Sequence, residues 1–306
     1  MSSIKELSEK IARKSAIVEK WLAGKNAKVS FDQEAKDEYP DTDGESEIGM
    51  VRMVVIDDTS AFCDLFLGPR EVLAPVWGAA IDNAAQQFIY HFNILHAIPL
   101  DGEATYAEIS AKVGLSERKV KPVVRKAMLN QMLREDVPDH VFQTASSALL
   151  LRDHNMMNYY GFFVEQILPA SAKLTEAPKK YKDSTTAQDT ALSLTLNTKD
   201  VLFKYLEQSP ELMARFVGAM EGVDKDPSQS QKHVITRYSW TELGKPLLSI
   251  SVGGSSGFLS VELARNYPKL NFVVEDYKKN IEQGATQLLS ELTERVKFVL
   301  HNFFDP

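Results

Sequence analysis

Gly253, Gly254 and Gly257, followed by Glu275 and Asp276, are the residues of this chain whose types and spacing could do chemistry. Glycines at a strand-to-helix junction permit a tight turn, and backbone amides at the start of the helix can then face a ligand's polar end. An acid at the carboxyl end of the next parallel strand can accept hydrogen bonds from both hydroxyls of a ribose. Together they imply a grip on a nucleotide-like ligand. A dinucleotide site needs the spacing G-x-G-x-x-G to admit a pyrophosphate, and no starting glycine here gives it. No basic residue sits in the turn, which also disfavours a phosphate.

The elements that must position these residues follow from the apolar runs around them. LLSISV, Leu247 to Val252, reads as a strand covered on both faces. The helix after the turn runs to about Asn266, because Pro268 bars continuation. LNFVV forms the next strand, with Glu275 and Asp276 at its carboxyl end, and VKFVL a third, followed by Asn302. With pyrophosphate disfavoured, S-adenosylmethionine is the ligand such a turn suits.

Composition frames this segment. At 306 residues, 44% apolar and 25% charged, the chain has material for two cores, and its formal charge of −7 argues against a broad footprint for nucleic acid or anionic membrane. One cysteine, Cys63, excludes an internal disulfide and a multi-cysteine zinc site, fits a reducing cytoplasmic compartment, and is expected in the core. The six histidines are scattered, so no metal site is expected. No run of 18 apolar residues occurs, and a soluble protein is expected.

Upstream, Ile4, Leu7, Ile11, Val18 and Trp21 form one helical stripe, to be buried on its own domain or on a second subunit. Residues 28–49 read as an acidic loop, and Ala74 to Leu95 as a buried core helix. A short helix ending at Val113, a turn at Gly114, a second helix capped by Ser116 and a β-rich wing outline a winged helix. Six basic residues from Arg118 to Arg134 suggest DNA reading, which Pro122 in the second helix, Asp136 and Asp139 in the wing and the acidic whole oppose. Residues 155–180 hold a helix dense in Met, Tyr and Phe, suited to a core or to a pocket for flat organic substrates. His154 beside it is the local histidine that could touch substrate. After the polar KYKDSTTAQDT, Ser209 and Pro210 start a helix carrying Leu212, Phe216 and Met220.

TRYSWTELGKPLLSISVGGSSGFLSVELARNYPKLNFVVEDY, with RVKFVLHNFFDP after it, resembles the cofactor-binding half of the S-adenosylmethionine-dependent O-methyltransferases of the caffeate and flavonoid type, in their fungal secondary-metabolism branch. The winged helix and aromatic helix match that family's dimerisation and substrate-lid domain, so the resemblance covers roughly residues 60–306. The implied fold is a mainly α N-terminal winged-helix dimerisation domain plus a partial α/β Rossmann-like class I methyltransferase domain. The implied divisions are 1–170 for dimerisation and lid, 171–230 for linker and connecting helices, and 231–306 for the cofactor domain.

Carried over by residue, the resemblance places Gly253, Gly254 and Gly257 at the methionine end of S-adenosylmethionine, Asp276 at the ribose with Glu275 beside it, and Asn302 near the adenine. Two positions depart from the family: Ser251 stands where an aspartate usually precedes the glycines, and Asn302 where an acid is common. Each loses a carboxylate, and a charge-assisted hydrogen bond is worth about 1.5–3 kcal/mol. Seven strands are implied and three fit here, so the domain reads as truncated, the glycine-turn strand as a sheet edge, and the family's catalytic histidine as lying beyond the chain; catalytic residues stay unassigned. The implied activity is methyl transfer to a hydroxyl of a small aromatic or polyketide-like metabolite, by a cytoplasmic homodimer binding neither nucleic acid nor membrane. Two alternatives stay open: a pericyclase or cyclase that uses the cofactor without transferring its methyl group, and a non-catalytic scaffold.

Overall fold

Val120, Val124 and Ala127 recur on one face of the helix Glu117–Met128 and are fully buried, which is what fixes this helix against its neighbours. It follows strand β1 (Glu103–Thr105) and the helix Tyr106–Val113, whose N-terminus is closed by a reciprocal pair: the Thr105 hydroxyl accepts from the Glu108 amide and the Glu108 carboxylate from that of Thr105. Gly114, at φ +69°, ends that helix in the left-handed conformation. Strands β2 (Leu133–Val137) and β3 (His140–Gln143) complete an antiparallel sheet in the order β1-β3-β2. The winged helix is therefore formed, and its second helix runs through Pro122 without a break. Buried Gln143 locks the wing to the preceding segment, donating to the carbonyls of Leu95 (2.8 Å) and Ile98 (3.0 Å).

The computed structural model describes residues 3–35, 39, 47–224, 232–243 and 247–302, in two compact units, Met1–Ser228 and Gln229–Pro306. Most of the acidic stretch in 28–49 and much of GVDKDPSQSQK lie outside the described residues. In the first unit the helix Ile4–Gly24 packs on the helix Glu47–Glu71, burying Leu7, with Lys10 donating to Asp58 at 2.7 Å. The aromatic helix His154–Phe162 packs on Pro210–Asp224 with Phe162 and Phe216 edge to face at 5.4 Å, so this face of the aromatic helix is core. Ser209 caps the latter helix by accepting from the Leu212 amide.

Two expectations fail in this unit. Cys63 is exposed, because the Glu47–Glu71 helix turns Ile48, Gly49 and Asp58 inward instead. The apolar stretch from Ala74 is a helix only to His91, broken where Asn93 takes φ +53°. It buries Ala85 and Ile89, whereas Val76 and Trp77 remain 70% and 65% exposed. Among the described residues, none from Ala74 to Ile81 is buried.

The second unit is a parallel sheet, β4 (Leu247–Val252), β5 (Leu270–Asp276) and β6 (Val296–Leu300), in that order. Helix Phe258–Asn266 returns from β4 to β5, and helix Lys278–Gln287 leads toward β6. Leu270, Phe272, Val274 and Val296 face Leu263, Ala264 and Leu292 in a closed core. Arg295 ties the layers, donating to the carbonyls of Ala264 (2.6 Å), Leu270 (3.2 Å) and Tyr267 (3.3 Å). The expectation that β4 is covered on both faces is corrected: Leu248, Ile250 and Val252 alternate outward and are 59%, 56% and 55% exposed. Among the described residues β4 pairs only with β5, so it is an edge.

Candidate functional site

The glycine turn joins β4 to its helix at the carboxyl end of the sheet, beside the end of β5. Three of its five residues take left-handed φ: Gly253 at +66°, Ser255 at +51° and Gly257 at +77°. A Cβ at Gly254 would lie 2.5 Å from Ser251 Oγ and 2.9 Å from Val274 Cγ1; one at Gly257 would lie 2.7 Å from Phe298 Cε1. Close packing thus calls for glycine at both positions, and at Gly257 the left-handed backbone does so as well. Gly253 has open space where a Cβ would stand, so a ligand can come close to the backbone there.

The turn's own amides are engaged inside the unit. Those of Gly253 and Gly254 donate to the Glu275 carbonyl, at 2.8 and 3.2 Å, and that of Gly257 donates to the Gly254 carbonyl at 2.9 Å. Ser255 N donates to Asp276 Oδ2 at 2.7 Å. With these four donors used internally, the turn is no nest for an anion, which accords with the absence of a basic residue in it.

Asp276 is the hub. Its Oδ1 accepts from the Tyr277 amide at 2.7 Å and from Asn280 Nδ2 at 2.8 Å, and its Oδ2 accepts from Ser255. Two carboxylate oxygens offer about four lone-pair directions, so one at Oδ2 remains for a hydroxyl. Glu275 points to the other side of the strand and meets His301 Nδ1 at 2.7 Å, with 17% and 36% of the two side chains exposed. The His301 amide donates to the Asp276 carbonyl at 3.3 Å, which places Asn302, half-buried, directly after the contact between β6 and β5.

All six residues singled out from the sequence therefore lie on the turn or at the carboxyl ends of β5 and β6. Ser255, Asn280, Gly284 and His301 escaped sequence reasoning. Gly284, in the middle of the helix Lys278–Gln287, abuts Phe298 and the Ser256 carbonyl, and a glycine inside a helical pattern was its available signal. His154 is exposed at the first turn of its helix. No group of three or more His, Cys, Asp or Glu that could hold a metal occurs among the described residues.

Residues 185–306 match the model of the O-methyltransferase domain family. The chain is 30% identical over its whole length to the O-methyltransferase AMT9 of Alternaria alternata, covering 71% of that protein. It is 32% identical to O-methyltransferase VdtC of Byssochlamys spectabilis, over 83% of this chain and 60% of that one. The crystal structure of OxaC superposes with a TM-score of 0.65 at 16% identity, over 99% of this chain and 71% of OxaC. The chain spans 57–71% of the length of the curated relatives it matches.

Proposed function

This chain belongs to the O-methyltransferase family, and we propose that it binds S-adenosylmethionine at the turn Gly253–Gly257 and transfers a methyl group to a hydroxyl of a small aromatic or polyketide-like secondary metabolite. The observation that carries this reading is Asp276: an acid at the carboxyl end of a parallel strand, beside a turn whose amides are already bonded. Such a site suits a nucleoside held by its hydroxyls and not a ligand held by phosphates. The names of the relatives specify transfer to oxygen, and OxaC has been crystallised in complex with SAH and oxaline.

In this reading the open backbone at Gly253, with Gly254 and Gly257 shaping the turn, receives the methionine end. Asp276 accepts from the ribose with Glu275 beside it, and Asn302 lies toward the adenine. The cofactor supplies an electrophilic methyl group on a sulfonium. The chain supplies orientation: Asp276 is held by neutral donors, and Phe272 and Val274 are buried beneath the turn. Because Ser251 and Asn302 carry no charge, Asp276 provides most of the polar grip. Incubation of the chain with methyl-labelled S-adenosylmethionine and a panel of phenols is expected to move label into an extractable product. Saturable binding with no label moved would overturn methyl transfer and favour a rearrangement catalysed with the cofactor bound as a cation.

A homodimer is part of the proposal. Val76, Trp77 and Ile81, together with Met50, Met53 and Ile56, leave two helices of the first unit apolar and exposed, a pattern that marks a protein interface. Trp77→Glu is expected to convert a dimer to monomer in sedimentation velocity; a wild-type chain that sediments as a monomer at every concentration would refute the dimer. The division into a dimerisation and lid region and a cofactor domain belongs to the same reading. The single cysteine supports a cytoplasmic location, and no helix among the described residues is long and apolar enough to cross a membrane.

A further inference from the structure

Asp276 holds the glycine turn as well as offering an oxygen to a ligand, and the side chain that arranges it is on the next helix. Ser255 sits at φ +51°, a conformation costly for a residue other than glycine, and it persists only where its surroundings impose it. The amides of Gly253 and Gly254 fasten the first part of the turn to the Glu275 carbonyl; at Ser255 the fastening is the 2.7 Å bond to Asp276 Oδ2. That bond requires one rotamer of Asp276, the one whose Oδ1 takes the Tyr277 amide and, at 2.8 Å, Asn280 Nδ2.

We propose that Asn280 is a positioning residue for the cofactor acid: its side-chain amide fixes the rotamer of Asp276, which pins Ser255 and presets the turn before any ligand arrives. The chemistry of the donor is the point. An arginine or lysine would also orient the carboxylate but would neutralise it, whereas a carboxamide orients it and leaves its charge available to a ligand's hydroxyls. Asparagine is otherwise an indifferent choice here. Asn280 is the third residue of the helix Lys278–Gln287, in the first turn, where an acid is the more stabilising residue.

This inference rests on the cofactor reading for its binding arm and stands without it for its structural arm. S-adenosylhomocysteine is titrated calorimetrically into the 306-residue chain and into Asn280→Ala and Asn280→Asp, and hydrogen exchange of the Ser255 amide is followed by NMR without ligand. Asn280→Ala is expected to weaken binding about tenfold and to speed exchange at Ser255 by a similar factor. Asn280→Asp keeps the shape and suits the helix start, but removes the donor and sets a second carboxylate beside Asp276; it is expected to bind more weakly than Asn280→Ala. Aspartate binding as well as asparagine, or unchanged Ser255 exchange in both folded variants, would overturn the proposal and make Asn280 an ordinary helix residue. Failure of the wild type to bind would sink the cofactor reading, while Ser255 exchange would still decide the role of Asn280. If alanine unfolds the chain, the aspartate variant, which the helix favours, carries the test.

Discussion

The wing and the glycine turn are each organised by one acid, with opposite electrostatics. In the wing, Glu135 accepts from Arg125 through both oxygens, at 2.6 and 2.8 Å, from the Tyr106 hydroxyl at 2.6 Å and from the Asp139 amide at 2.8 Å. At the turn, Asp276 accepts from two backbone amides and one carboxamide, and among the described residues it is paired with no cation. Arg125 compensates Glu135, and its guanidinium holds that carboxyl at about 2, well below the usual range. Three more of the six bases from Arg118 to Arg134 are used in the same way: Lys121 on Asp139, Lys126 on Asp82 at 2.7 Å, Arg134 on Asp136 at 2.6 Å. The acid that closes the wing is matched by charge; the acid proposed for the ligand is held by neutral donors.

The comparison breaks most readily at Asp276. Asp276→Ala removes the ligand's acceptor and frees the Ser255 amide together, and about 100-fold weaker binding of S-adenosylhomocysteine is expected in calorimetry. Unchanged affinity would place the ligand elsewhere. Gly257→Ala tests the turn's shape independently of its charge. A left-handed residue and a Cβ driven against Phe298 together should cost about 2–4 kcal/mol, read as a lower urea midpoint for the second unit. Tyr106→Phe deletes one hydrogen bond to Glu135 and is expected to cost about 1 kcal/mol in the first unit, with cofactor affinity unchanged.

Much of this contrast was legible in the sequence, and the reason differs by residue. Gly253 and Gly257 announce positive φ because glycine is the usual residue there; Ser255, equally left-handed, carries no such mark. Asp276 drew attention by its place at a strand end. Asn280 was not, because its role depends on the rotamer of a residue four positions earlier. The destination of the turn's amides was not legible, since their acceptor is the carbonyl of Glu275, supplied by strand pairing and invisible in spacing. Asp136 and Asp139 stood out in the wing, while Glu135, the pivot, is recognisable only once β2 lies beside Arg125. Apolarity around the Ala74–His91 helix suggested burial, yet Val76, Trp77 and Ile81 are exposed, and Leu248, Ile250 and Val252 on β4 are exposed in the same way.

The smallest expected effect sharpens the comparison through pH. Glu135 has its folded pKa depressed to about 2 from the usual 4.5, chiefly by the Arg125 hydrogen bond, with burial opposing. A depressed acid binds fewer protons folded than unfolded, so its stabilisation is complete above the unfolded value and is lost as pH falls through the window from about 4.5 to about 2. Glu135→Gln should therefore lower the stability of the first unit at pH 7, by an amount discounted for the solvent around Arg125. The same substitution should flatten the fall in stability between pH 5 and pH 3, followed by the urea midpoint. An equal slope in wild type and variant would mean that the pair is already screened in solution. The wing's acid would then resemble the turn's, held by geometry and not by charge.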